Sequence, residues 1–277
     1  MEASKHTVLQ VQIAAFGQEG IDRVAAHQHP QIEGVRWLVS LQMPEGEVRI
    51  PDLLAGRQDF DIIVHRDKGL ARNRNHALDF PSDSEIILIA DDDIDYSAEG
   101  LLALIQAFAD YPEADIICCR YLNNGQYVKN YGDGTVFSLK KPPFGWYVTS
   151  FEMAFRREAV GSLRFNENTG IGSGKLIAGE DSIFFVDLLR QGANGICAPI
   201  DIGSHNHDTT GERLQTDPDF LKSHGACLTH IKPVTWFPRL LLHAHRNPLP
   251  FFSCLRHTFA GAVYALIHRP FRNQVKN

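Results

Sequence analysis

Cysteine is scarce in this sequence. The five present (Cys118, Cys119, Cys197, Cys227, Cys254) are odd in number and form no Cys-x-x-Cys pair. That excludes a disulfide framework and a zinc ribbon, and a reducing, cytoplasmic compartment is expected. Long apolar runs are missing too. No uncharged stretch reaches the roughly 18 residues that a spanning helix needs. The longest candidate, 251–268, carries Arg256 and His257 near its start. Residues 1–6 are polar and lack the charged start and apolar middle of a secretory signal, so none is expected.

Acidic residues stop at Asp219. Beyond it the chain holds Lys222, Lys232, Arg239, Arg246, Arg256, Arg269, Arg272 and Lys276 with no Asp or Glu. Against an overall net charge of −6, this +8 tail leaves −14 on the first 219 residues. Such asymmetry points to an anionic partner for the basic part, while the acidic body argues against nucleic acid.

With 277 residues, 44% apolar and 22% charged, the chain can bury a large core, and global disorder is excluded. Apolar strand patterns (8–16, 34–41, 60–64, 85–90, 115–120) alternate with short helical ones (21–26, 70–78, 101–108). That alternation predicts an α/β fold with a mostly parallel sheet flanked by helices. Asn123-Asn124-Gly125 and Gly132-Asp133-Gly134 predict turns in a hairpin over 121–141, rich in aromatics that could stack on a sugar or simply pack. A strand over 149–155, a Gly-rich loop over 168–179 and a helix over 181–189 follow, the helix closed by Gly192. The expected division is a catalytic domain over 1–210 and a basic, mainly helical extension over 211–277. The apolar residues of 255–267 fall at helical spacing beside cations, a pattern that suits an anionic lipid interface or a helix packed on the catalytic domain.

The densest chemical signal is Asp91-Asp92-Asp93, with Asp95 behind it, directly after the fourth strand pattern. In open α/β sheets, ligands bind beyond the carboxyl ends of strands. Adjacent carboxylates repel unless a cation or hydrogen-bond donors neutralise them. A hard divalent ion that also holds diphosphate oxygens meets that need. A solvated turn capping the next helix would tolerate the same acids. Glu180-Asp181 at a helix start offers a carboxylate that could take a proton from a hydroxyl, or a plain acidic helix N-terminus. Lys68, Arg72 and Arg74 cluster with Gly69 at a strand-to-helix junction, where cations can reach a diphosphate or orient the site's acids, or simply form a solvated helix face with a Gly-led entry. Gly170-Ile171-Gly172-Ser173-Gly174-Lys175 is no phosphate loop, because Thr169 and Leu176 stand where Gly and Ser or Thr are required.

In order and spacing these motifs resemble the family 2 glycosyltransferases. Gly69, Leu70, Ala71, Arg74 and Asn75 match that family's Gly-Leu-Ser-x-x-Arg-Asn, with Ala71 in place of Ser. Asp91–Asp93 match its Asp-x-Asp. Phe155-Arg156-Arg157, Phe165-Asn166-Glu167, the Gly-rich loop and Glu180-Asp181 match its later segment. The resemblance covers about residues 8–208 and implies a GT-A, Rossmann-like fold and inverting transfer from a nucleoside-diphosphate sugar, UDP first. Asp91 would touch the ribose, and Asp92 or Asp93 would hold Mn²⁺ or Mg²⁺. The ligand set would be drawn from Asp91, Asp93, His205 and His207. Ala14, Ala15 and Phe16 would border the nucleobase, and Lys68, Gly69, Arg74 and Asp92 would contact the nucleotide sugar.

Asp181, with Glu180 beside it, would be the general base. No Gln-x-x-Arg-Trp occurs, so transfer of one sugar is expected. The acceptor would be a glycan or lipid-linked hydroxyl in surface polysaccharide synthesis, with the enzyme peripheral on the inner membrane face. Two rivals share the sheet: a nucleotidyltransferase acting on a sugar phosphate, and a sugar-nucleotide-binding protein without catalysis.

Overall fold

The computed structural model describes residues 7–206 and 215–271. The expected boundary at 210/211 and the candidate ligand His207 lie outside the described residues. Nine strands form one sheet: β1 (Leu9–Phe16), β2 (Val35–Gln42), β3 (Phe60–His65), β4 (Ile86–Asp91), β5 (Asp95–Tyr96), β6 (Ile116–Leu122), β7 (Phe137–Ser138), β8 (Met153–Arg156) and β9 (Gly195–Ser204). Their order is β3-β2-β1-β4-β8-β6-β9-β5, with β7 paired to β9. β1 runs parallel to β2 and β4, β2 to β3, and β6 to β9, whereas β8 is antiparallel to both β4 and β6. Helices α1 (Gly17–Ala26), α2 (Asp52–Ala55), α3 (Leu70–Asp79), α4 (Ala98–Asp110), α5 (Arg157–Val160) and α6 (Glu180–Arg190) intervene, and α7 (Pro218–Ile231), α8 (Trp236–Arg246) and α9 (Phe251–His268) follow.

Two compact units emerge. The first takes the described residues of 1–67, 73–161 and 188–207; the second those of 68–72, 162–187 and 208–277. The first is built around the sheet. Leu9, Val11, Ile13, Leu38, Leu88 and Ile89 are fully or almost fully buried, as central parallel strands covered on both faces require. Even the polar positions of β1 lie inside. Gln12 donates to Gln10 Oε1 at 2.9 Å and to the Ala77 carbonyl at 2.9 Å, so burial leaves no amide donor wasted there.

The stretch after β6 differs from the expected hairpin. Apart from one bridge between Asn123 and Gln126, only Phe137 and Ser138 join the sheet. The segment folds instead around the fully buried side chain of Lys129, which pairs with equally buried Glu152. The Lys129 ammonium lies 4.6–5.6 Å from the ring centroids of Tyr121, Tyr131, Trp146 and Tyr147. Tyr121 and Tyr131 are therefore core, while Tyr127 and Tyr147 stay exposed. Alternation of aromatic and polar residues imitates a ladder here because the rings enclose a cation. The expected strand over 149–155 begins later, at Met153, since Ser150–Glu152 form a single 3-10 turn closed by a Thr149–Glu152 capping box.

In the second unit, α7 and α9 share a core with the Gly-rich loop and α6: Leu176, Ile183, Ala226, Cys227, Ala265 and Phe271 form one apolar cluster. Polar ties reinforce it. Asn166 and Asn168 both donate to the Pro270 carbonyl, at 2.9 and 2.8 Å. His230 and Asp187 meet at 2.7 Å.

His29 gives the first unit a pH dependence. It is buried between Trp37 and Phe60, its Nε2 is 2.8 Å from the Val24 carbonyl, and burial pushes its pKa from 6.5 down to about 4. The unfolded chain therefore takes up a proton that the folded chain refuses between those values. Stability is complete above pH 6.5 and falls as pH drops toward 4, by about 3 kcal/mol in all. Urea unfolding across that range should show the loss, and His29→Phe should flatten it.

Candidate active site

β4 ends at Asp91, and Asp92 and Asp93 form the turn after it. Parallel pairing sets Ala14 directly beside Asp91, so the carboxyl end of β1, Ala14, Ala15 and Phe16, neighbours the acidic turn. Phe16 is half exposed there. The triplet does not cap α4. Ser97 does, accepting from the Gly100 N–H at 2.9 Å.

Each carboxylate has its own partner. Arg74, almost fully buried on α3, donates to Asp91 Oδ1 at 2.9 Å, and the Ser150 hydroxyl donates to Oδ2 at 3.2 Å. Arg23 on α1 grips Asp92 through two bonds of 3.1 and 2.8 Å. His205, just past β9, places Nε2 3.3 Å from Asp93 Oδ2 and stacks on Phe151. Asp95 accepts from the Gln28 N–H at 2.8 Å and meets His27 Nδ1 at 3.0 Å. Gly20 lets α1 come this close: a Cβ there would stand 2.9 Å from Asp92 Oδ2 and 3.3 Å from the Ala15 carbonyl carbon.

These contacts separate the three acids electrostatically. Burial lifts Asp92 to about 6 against the pull of Arg23, with Asp93 and Asp91 adding to the rise. Burial also pushes Asp93 upward, but the His205 hydrogen bond and the charges of His205, Arg23 and His27 bring it below the usual carboxylate value. Asp91 and Asp92 thus spend oxygens on guanidinium groups. Asp93 and His205 remain as the carboxylate–imidazole pair of the turn. Among the described residues no three His, Cys, Asp or Glu side chains converge into a metal site. A divalent ion held at Asp93 and His205 would need diphosphate or water oxygens to fill its shell, which suits a hard cation that travels with its substrate.

The second unit holds the other expected residues. Lys68 is exposed. Gly69 has φ +117° and lies against Gly172, while the Leu70 N–H donates to the Ile171 carbonyl at 2.9 Å. The Gly-rich loop and the start of α3 are thereby one assembly. Glu180 is buried and packs under Gly170, whereas Asp181 is half-buried with Oδ1 accepting from the Ser182 N–H at 2.6 Å. Gly179 (φ +95°) turns the chain into α6 where a Cβ would collide with Cys227 Sγ at 2.3 Å.

Residues 50–178 match the model of Glycosyl transferase family 2. Over that stretch the chain is similar to the family 2 glycosyltransferases. Similar solved structures agree on the GT-A fold. The S. aureus TarS fragment 1–349 is 15% identical, with a TM-score of 0.56, over 98% of this chain and 76% of that one. The same fragment in complex with UDP-GlcNAc gives 13% identity and 0.55 over 94% and 73%. Mannosyltransferase PcManGT from Pyrobaculum calidifontis, in complex with GDP-Man and Mn²⁺, gives 15% and 0.52 over 96% and 89%. No curated protein matches the sequence.

The glycosyltransferase's sequence marks Arg74, Asp91, Asp92, Asp93 and His205, and the structure brings all five together. Arg23, His27 and Ser150 belong to the same constellation without any sequence signal. Arg23 sits in an ordinary amphipathic helix and Ser150 in an irregular turn.

Proposed function

We propose that this glycosyltransferase moves one sugar from a nucleoside-diphosphate sugar to a hydroxyl of a glycan or lipid-linked acceptor, inverting the anomeric centre. The observation that carries the reading is the acidic turn at the paired ends of β1 and β4, where Asp91 and Asp92 are fixed by Arg74 and Arg23 and Asp93 faces His205. Asp91, oriented by Arg74, is assigned to the donor's ribose. Asp93 and His205 are assigned to a Mn²⁺ or Mg²⁺ ion, which would neutralise the departing diphosphate. Asp181 takes the proton of the acceptor hydroxyl as its oxygen bonds the anomeric carbon, and the sugar–phosphate bond breaks on the opposite face. Neighbours bound to UDP-GlcNAc and GDP-Man leave both nucleotides to be tested.

Calorimetric titration of UDP, GDP, TDP and CDP, with and without Mn²⁺, into wild type and Asp91→Ala/Asp93→Ala is the direct test. One nucleotide should bind in a metal-dependent way, at least tenfold weaker in the variant. Failure of every diphosphate to bind, or binding indifferent to the substitutions, would remove the assignment.

A further inference from the structure

Soluble helices bury their large apolar residues and keep small or polar ones outside. In α9 this order is reversed. Its buried face consists of Cys254, Thr258, Gly261, Ala262 and Ala265. The residues turned outward include Phe252 (81% exposed), Phe259, Leu266 and Ile267 (67% exposed). The inward choice has a steric cause. A Cβ on Gly225 of α7 would fall 1.8 Å from the Thr258 carbonyl oxygen, and one on Gly261 would fall 1.8 Å from that of Lys222. The two backbones touch, so only small residues fit the seam. Small residues at a helix seam and bulky apolar ones outside is the arrangement of helices that face hydrocarbon.

α8 extends the same surface. Leu240 and Ala244 are buried, while Phe237, Leu241 and Leu242 stay exposed. Trp236 and Phe237 approach Phe259 at 6.4 and 6.5 Å between ring centroids, so the outer faces of α8 and α9 are continuous. Phe237, Phe252, Leu255, Arg256 and Phe259 line one open apolar groove. Val234, 92% exposed, stands in the turn before α8. No helix among the described residues is long and apolar enough to cross a membrane. The face can therefore enter a bilayer only from the side.

The charges select the kind of bilayer. Lys232, Arg239, Arg246, Arg256 and Arg269 are all exposed around these helices, and no Asp or Glu follows Asp219 anywhere in the sequence. A second copy of the chain would have to bring this all-cationic rim against itself. A neutral apolar partner would leave it unused. An anionic lipid leaflet satisfies both components, with acyl chains for the outward phenylalanines and phosphates for the rim.

We infer that the outer face of α8 and α9 seats the glycosyltransferase on an anionic bilayer surface, with Phe252, Phe259 and Ile267 entering the headgroup–acyl boundary. The inference is independent of the donor assignment and would stand if the nucleotide proved different.

The test is sedimentation of the full chain with vesicles of phosphatidylcholine alone and of phosphatidylcholine mixed with phosphatidylglycerol. Wild type should pellet with the mixed vesicles and stay in solution with the neutral ones. Phe252→Ser/Ile267→Ser and Arg239→Gln/Arg246→Gln/Arg256→Gln should each lower partitioning by on the order of a hundredfold. All these side chains are exposed, so both variants should keep the wild-type melting temperature and nucleotide affinity. Equal binding to both vesicle types, or none to either, would overturn the inference. So would a lipid-free dimer, seen by analytical ultracentrifugation, that Phe252→Ser/Ile267→Ser dissociates.

Discussion

Asp181→Asn should reduce sugar transfer by about 10²- to 10⁴-fold while leaving donor affinity unchanged, the signature of a lost general base. The amide keeps the shape and the hydrogen bond that Oδ1 accepts from the Ser182 N–H at 2.6 Å. It cannot take the acceptor's proton. The first turn of α6 also favours a charged carboxylate, because unpaired helix N–H groups supply a partial positive charge there. A residue with only that role would, on substitution, cost a few tenths to about 1 kcal/mol of stability and leave turnover intact. Single-turnover kinetics with saturating donor, read beside thermal melts, separate the two. Full activity in Asp181→Asn would move the base elsewhere, whereas no turnover by either protein beside intact donor binding would revive the reading of a chain that binds sugar nucleotides without using them.

The largest stability effect should come from the Lys129–Glu152 pair. Lys129 donates to Glu152, to the Tyr147 carbonyl at 2.6 Å and to the Thr149 hydroxyl at 2.9 Å, using all three ammonium protons. Glu152 also accepts from the Tyr131 hydroxyl at 2.8 Å and the Thr149 N–H at 3.0 Å. Both side chains are fully buried, so removing one charge strands the other in a poor solvent. Lys129→Met should destabilise the protein by about 3–5 kcal/mol. Lys129→Met/Glu152→Gln should recover part of that loss, because no bare carboxylate then remains. Urea denaturation of wild type, the single variant and the double variant measures it. A double variant no more stable than Lys129→Met would show that packing, and not the charge, is at stake.

Which features were legible in the sequence follows from how local their causes are. β4 was visible because a strand buried on both faces reads as an unbroken apolar run, β1 because Gln10 and Gln12 alone interrupt its apolar residues, and the acidic triplet announced itself by falling at the end of β4. The Arg74 and Gly69 motif was legible because a left-handed glycine and a helix start lie next to each other in the chain. Arg23 was not, since its role depends on Gly20 letting α1 settle against Asp92, a contact between segments 69 residues apart. The stretch after β6 misled for a similar reason. Its alternating rings satisfy a hairpin pattern, and only the later Glu152 reveals that they surround a lysine. The tail's helices were foreseeable from spacing, but not which of their faces would be buried. That was decided by Gly225 and Gly261, each set against a backbone carbonyl of the other helix, Thr258 and Lys222, with room for nothing larger.

The acidic turn also carries a timetable. Its counter-charges come from Arg23 and Arg74, which leave the ribosome before the triplet does, and from His205, which emerges 112 residues after Asp93. A nascent chain that has reached β4 can already balance Asp91 and Asp92. Asp93 feels Arg23 and His27 by then, but its hydrogen-bond partner must wait until β9 has been made and docked beside β6. The motif that marks the enzyme is complete as text at residue 93, yet as a charge-balanced object it is finished only when the last strand of the sheet arrives.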